Sequence, residues 1–203
     1  MSTKGTLYII AAASGTGKTS LAEALSQSLD NIAVSISHTT RPIRANEKDQ
    51  QHYFFVTIEE FASLIKQQAF LEHASVFGNY YGTSRQAVEE KLNLGIDVIL
   101  DIDWQGARQV REKIECITIF LLPPSYTELR LRLEKRKREH SRLIEERLSA
   151  ASSEISHYKE FDYVIINDKF ENALLDLQAI VRSQRLRLKN QAIKYNSLIR
   201  ELL

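Results

Sequence analysis

Ser14-Gly15-Thr16-Gly17-Lys18-Thr19 follows the apolar run Leu7 to Ala13 and runs into the helical spacing of Ser20-Leu21-Ala22-Glu23-Ala24-Leu25. Glycines at 15 and 17 let the backbone approach an anion closely, and successive N–H groups of such a turn cradle phosphate. The helix that follows adds its positive end. A lysine there is disfavoured by the helix dipole unless an anion sits beside it. In a nucleotide site Lys18 reaches the outer phosphates and the Thr19 hydroxyl ligates magnesium. The usual pattern opens on a glycine where this chain has Ala12, so the match is partial.

A second group of chemical side chains closes the apolar run Val98-Ile99-Leu100, which ends in Asp101-Ile102-Asp103. Strand alternation points both carboxylates to one face, and ligands of open parallel sheets lie beyond the carboxyl ends of the strands. These acids are candidates for magnesium or a substrate amine, with helix caps as the plain alternative. Ser37-His38-Thr39-Thr40-Arg41-Pro42-Ile43-Arg44 leaves another strand with hydroxyls and two arginines, a pair suited to a monophosphate. Arg130, Arg132, Lys135, Arg136, Lys137 and Arg138 crowd one stretch, with Arg142 and Arg147 beyond it; a solvated helical face is the simplest reading.

The elements that must position these groups follow from apolar runs. Leu7–Ala11, Ile32–Ile36, Val98–Ile102, Ile117–Leu122 and Tyr163–Ile166 read as strands buried on both faces. Helical patterns separate them: Lys18–Leu29, Ser84–Leu94, Gln105–Lys113, Ser125–Lys137, Ser141–Tyr158 and one long helix over Phe170–Tyr195. The alternation predicts a parallel sheet with helices on both sides. Between Arg44 and Gly82 the rhythm changes, with strands at Tyr53–Val56, Phe70–Val76 and Asn79–Gly82 around a helix at Ile58–Gln67, which predicts an inserted lobe. Gly78-Asn79 is its hairpin turn.

The chain has 203 residues, 43% hydrophobic and 26% charged, enough for one substantial core. A net charge of +1 argues against nucleic acid or an acidic membrane as the main partner. One cysteine, Cys116, excludes an internal disulfide, and no apolar leader or long apolar run is evident, so a soluble cytoplasmic protein is expected. The five histidines lack metal-ligand spacing, which argues against zinc. The tail from Leu186 to Leu203 offers homo-oligomer contacts, although packing on its own domain is the first expectation.

The phosphate loop, Ser37-His38-Thr39-Thr40-Arg41, Phe70-Leu71-Glu72-His73, Gly78-Asn79-Tyr80-Tyr81-Gly82-Thr83-Ser84, Asp101-Ile102-Asp103-Trp104-Gln105-Gly106 and Ile166-Asn167-Asp168 stand in the order and spacing of guanylate kinases. The chain resembles the stand-alone bacterial members over nearly its whole length. The resemblance implies an α/β P-loop kinase: a parallel core flanked by helices (about 1–37, 84–125 and 160–203), a GMP-binding lobe (about 38–83) and an arginine-bearing lid (about 126–159). It implies transfer of the γ-phosphoryl group of ATP to GMP or dGMP, with Mg2+ as cofactor.

The resemblance also implies roles. Ser14, Gly15, Thr16, Gly17, Lys18, Thr19, Ser20 and Asn167 would bind ATP, with Thr19 and Asp101 on magnesium. Arg41, Arg44, Tyr53 and Tyr81 would hold the GMP phosphate; Glu72, Ser37 and Thr83 would read guanine; Asp101 and Asp103 would serve guanine and the magnesium shell between them. Lys18, Arg41, Arg132, Arg136 and Arg147 would stabilise charge during transfer. Departures are Lys135 and Lys137, where relatives place glycines, and the segments Ala45-Asn46-Glu47 and Gln50-Gln51, which also lack one. Asn46 is expected to take the positive φ there. Two other functions fit a P-loop chain. A kinase for a ribose bisphosphate would have no use for Glu72, and a phosphopeptide-binding scaffold of the same fold would not need the intact Gly15, Gly17, Lys18 and Thr19.

Overall fold

Strand β1 (Leu7–Ala12) alternates between two apolar layers, Leu7 and Ile9 facing one and Tyr8 and Ile10 the other, and all four are buried. The computed structural model describes residues 4–76, 78–135 and 141–203, without the side chains of 141–144, 146 and 147. After β1 come α1 (Lys18–Ser28), β2 (Ile32–Val34), β3 (Ser37–Thr39), β4 (Tyr53–Phe55), α2 (Ile58–Lys66), β5 (Phe70–Val76), β6 (Asn79–Ser84), α3 (Arg85–Asn93) and β7 (Asp97–Asp101). They are followed by α4 (Trp104–Arg111), β8 (Ile117–Leu122), α5 (Tyr126–Lys135), α6 (Ser141–Ser156), a 3-10 turn (His157–Glu160), β9 (Tyr163–Ile166), α7 (Phe170–Arg185), α8 (Leu188–Lys194) and α9 (Asn196–Leu202).

Five strands form a parallel sheet in the order β2-β7-β1-β8-β9. One face packs Leu21 and Leu25 of α1 with Leu177 and Val181 of α7; the other packs Val88, Leu92, Ala107 and Val110 of α3 and α4. Four strands between β2 and α3 form a second, mixed sheet, β4-β3-β6-β5. Its α2 begins with a full capping box, Thr57 and Glu60 each accepting the other's backbone N–H. A third cluster joins Ala13 to Leu129 and Leu133 of α5 and to Leu148 and Ala151 of α6, so these two helices rest on the phosphate loop itself.

Several boundaries differ from the sequence expectation. The run Ile32–Ile36 divides: β2 stops at Val34, Ser35 still donates to the Ile99 carbonyl, and the chain then crosses to the second sheet as β3. The strand over Val98–Ile102 begins at Asp97 and ends at Asp101. The helix over Ser141–Tyr158 gives way to a 3-10 turn after Ser156. The long helix over Phe170–Tyr195 breaks after Arg185, and the Asn190 and Gln191 side chains turn back to donate to the Gln184 and Arg185 carbonyls at its end. In the tail, Leu188 is 82% and Leu202 76% exposed, so these do not pack on their own domain. Asn46 does not adopt a positive φ; Gln50 does, at 62°.

Candidate active site

The loop between β1 and α1 needs two left-handed residues, and glycines fill both, Gly15 at φ 90° and Gly17 at φ 97°. Gly17 precedes α1 without any side-chain cap, which leaves the first-turn N–H groups to an anionic ligand. Ala12 lies in β1 with no positive φ, so the missing first glycine costs no strain. The loop is pinned from below. Thr16 is fully buried and its hydroxyl donates to the Ala13 carbonyl at 2.8 Å. Buried Asn167, just past β9, donates from Nδ2 to the Thr16 carbonyl at 2.7 Å, and Arg132 of α5 donates to the Asn167 carbonyl at 3.0 Å. Glu154 of α6 accepts the Ser14 N–H at 3.1 Å. A Cβ on Gly17 would stand 2.8 Å from Asn167 Nδ2 in a backbone conformation L residues avoid. Gly17→Ala is therefore expected to strain the loop by about 1–2 kcal/mol, read as a lower melting temperature than the parent's.

Lys18 and Thr19 meet one carboxylate. Lys18 Nζ lies 2.7 Å from Asp101 Oδ1 and donates to the Ile102 carbonyl at 2.8 Å, while Thr19 Oγ1 donates to Asp101 Oδ2 at 2.6 Å. Asp101 ends β7 and pairs with Ile10 of the neighbouring β1, which is why the two segments face each other. Asp103 does not share that face: β7 has ended, and Asp103 caps α4 by accepting the Gly106 N–H at 2.8 Å. Ser20 is exposed on α1.

In the second sheet Glu72 is 3% exposed, and its Oε1 accepts a hydrogen bond from the wholly buried Thr83 hydroxyl at 2.6 Å. Ser37 Oγ lies 3.4 Å from Thr83 Oγ1, so three oxygen groups from β3, β5 and β6 cluster. Burial pushes the Glu72 carboxyl up to about 7; the Thr83 hydrogen bond opposes this, the Asp103 charge adds to it and the Lys18 charge counters it.

Arg41 lies beyond β3 with its guanidinium 5.4 Å from the ring centre of Tyr53 and 5.7 Å from that of Phe55. Its Nη2 pairs with Glu47 at 2.8 Å, and Glu47 also accepts the Arg44 N–H. Tyr81 meets Tyr53 edge-on at 6.0 Å. Burial, and next the Asp101 charge, push the Tyr53 phenol up to about 12, which keeps it a proton donor at neutral pH. The Arg44 side chain is exposed. Arg136 and the Arg147 side chain lie outside the described residues. Residue spacing did not single out Glu47, Gln109 or Glu154, because each acts on backbone or on another side chain that only the folded chain brings near.

A lysine following a glycine-bearing loop, backed by a carboxylate at the carboxyl end of an inner strand of a parallel sheet, makes this chain a P-loop kinase by fold and site. The family model for guanylate kinase matches residues 4–184, and the chain belongs to the guanylate kinase family. A guanylate kinase of Photobacterium profundum is 53% identical over 203 residues, covering 98% of each chain, and one of Escherichia coli K12 is 52% identical over the same span. The crystal structure of guanylate kinase from Anaplasma phagocytophilum superposes with a TM-score of 0.77 at 35% identity, covering 92% of this chain and 89% of that one. Among the described residues no helix is long and apolar enough to cross a membrane.

Proposed function

We propose that this site carries out the reaction of its family, ATP-dependent phosphorylation of GMP, with Lys18 and the phosphate loop on the donor and Glu72 with Thr83 on the acceptor. One observation carries this reading: Glu72 Oε2 lies against Gly106 at the start of α4, whose N–H is held by Asp103, and Lys18 is bound to Asp101 and the Ile102 carbonyl just before it, so one short segment brings the base-reading acid and the phosphate lysine together. A sugar bisphosphate has hydroxyl donors but no planar base edge for a buried carboxylate to read. Guanine offers two, its N1–H and exocyclic amine, and adenine presents the opposite pattern.

The backbone amides of Gly15 to Thr19 hold the donor's phosphates, and Lys18, aimed by Asp101 and the Ile102 carbonyl, balances charge on the transferring group. Arg41, Tyr53 and Tyr81, with Arg44, hold the acceptor phosphate. A GMP phosphate oxygen attacks the γ-phosphorus in line while the bond to the ADP oxygen breaks, so no covalent enzyme intermediate forms. Arg132, with Arg136 and Arg147, neutralises the triphosphate; Asn167, which holds the Thr16 carbonyl, is assigned to the adenine end by resemblance to the family. The same contacts accept dGMP, since none reads the 2′-hydroxyl.

The donor set also fits magnesium. Thr19 Oγ1 and Asp101 Oδ2, 2.6 Å apart, are hard oxygen groups, suited to an ion that keeps most of its shell for phosphate and water. When bound there, magnesium supplies positive charge to the donor phosphates.

The test is ADP formation from Mg-ATP with GMP, dGMP, AMP, CMP, UMP and a ribose bisphosphate. Turnover confined to the guanine nucleotides is expected; turnover with the sugar bisphosphate alone would sink the guanine reading. A pH series adds a second check. GMP needs Glu72 ionised, so KM for GMP should stay flat above pH 7 and rise by up to about tenfold per unit below it. Glu72→Gln removes that rise and leaves only the acceptor phosphate's own ionisation near ~6.

A further inference from the structure

The acid that reads guanine is held from outside its own sheet. We propose that Gln109 of α4 is a positioning residue for Glu72, its carboxamide clamping the backbone that aims the carboxylate; the inference rests on the guanine-reading role given to Glu72 above.

Glu72 lies on β5, the edge strand of the mixed sheet, so one side of its backbone has no strand partner. The other side is irregular there. Phe70 pairs with Ser84 and Glu72 with Thr83, so the register slips across Leu71 and the ladder is weakened beside the carboxylate. Gln109 supplies what the edge lacks: its Oε1 accepts the His73 N–H at 3.1 Å and its Nε2 donates to the His73 carbonyl at 2.8 Å. That is the donor and acceptor pair a neighbouring strand would present, and a carboxamide carries the two groups side by side. Lys113, just beyond α4, donates to the Leu71 carbonyl, so the backbone is tied on both sides of Glu72.

Gly106, one turn before Gln109, leaves room for the carboxylate itself: a Cβ there would stand 2.7 Å from Glu72 Oε2. Helix α4 is anchored in turn at Asp103, next to the Asp101 that holds Lys18. One helix therefore sets the acceptor's reading group against the donor's lysine.

Gln109→Leu keeps the volume and loses both hydrogen bonds. Loss of this pair is expected to raise KM for GMP about tenfold and to lower the preference for GMP over AMP. KM for ATP and kcat at saturating GMP should be unchanged, a split that general loosening of the fold would not give. Gln109→Met, which also lacks both polar groups but keeps the unbranched stem and adds no charge, serves where the leucine variant folds poorly, and it should shift KM for GMP in the same direction. In a Glu72→Gln background the Gln109 change should add nothing further. Glu72→Gln that loses GMP beside Gln109 variants that keep it would overturn this inference alone. Glu72→Gln that binds GMP like the parent would overturn the guanine reading and this inference with it, and equal loss for GMP and ATP would reduce Gln109 to a structural contact.

Discussion

Glu72→Gln is expected to raise KM for GMP about a hundredfold, ~2.7 kcal/mol, while kcat with saturating GMP falls far less. The carboxylate is buried, so each guanine donor it accepts is dehydrated on binding and must be repaid in full by an acceptor. Glutamine keeps the shape and one oxygen, which Thr83 already engages in the parent, but turns an N–H toward the base where an acceptor is needed. Donor meets donor. Steady-state kinetics at fixed ATP separate this from a folding defect, and so does stability, which should move the other way. The Glu72 carboxyl titrates higher when folded than when unfolded, so the folded chain holds a proton the unfolded chain releases as pH rises from about 4.5 to 7. Its contribution to stability is present below that window and lost through it, so the glutamine variant should melt above the parent at pH 8. A variant that melts lower and loses both substrates alike would point to simple disruption.

Lys18→Ala is expected to lower kcat about a thousandfold, ~4 kcal/mol, with KM for GMP little changed. The ammonium has two fixed partners, Asp101 Oδ1 and the Ile102 carbonyl, so it is aimed before any nucleotide arrives. Charge that is already in place at the transferring phosphoryl group stabilises the transition state more than the ground state. Its side chain is half-buried, and Asp101 keeps the Thr19 hydroxyl as a partner when the ammonium is gone, so the fold should persist, as a thermal melt checks. Quenched-flow measurement of a single turnover checks the prediction, because it isolates the chemical step from product release. An alanine variant with parent-like single-turnover rates would remove Lys18 from the chemistry.

The parallel core was legible because its strands are mostly apolar runs, and burial on both faces demands that pattern in β1, β7 and β8; the edge strand β9 is buried on one face only, with Val164 and Ile166 exposed. The phosphate loop was legible for a related reason: only glycine tolerates the φ of 90° and 97° found at Gly15 and Gly17 without strain, so the requirement is written in residue type. What local pattern did not reveal depends on distant partners. Asp103 looked like a twin of Asp101, yet the strand ends between them and Asp103 caps α4. At the break after Arg185 the Asn190 and Gln191 side chains reach backward, and apolar periodicity carries no mark of it. Glu47, Gln109 and Glu154 contact the Arg41 guanidinium or backbone amides of the site, contacts set by tertiary approach rather than by spacing.

The central claim is that donor and acceptor sites face each other across one cleft so that phosphate passes directly between two nucleotides. Calorimetric titration with a single molecule carrying adenosine at one end and guanosine at the other, joined by a chain of five phosphates, tests it most directly. One molecule is expected to bind per chain, displaced by either ATP or GMP, with affinity well above either nucleotide alone, because the second end binds at high effective concentration. Affinity no better than that of ATP, with GMP still free to bind beside it, would contradict that claim.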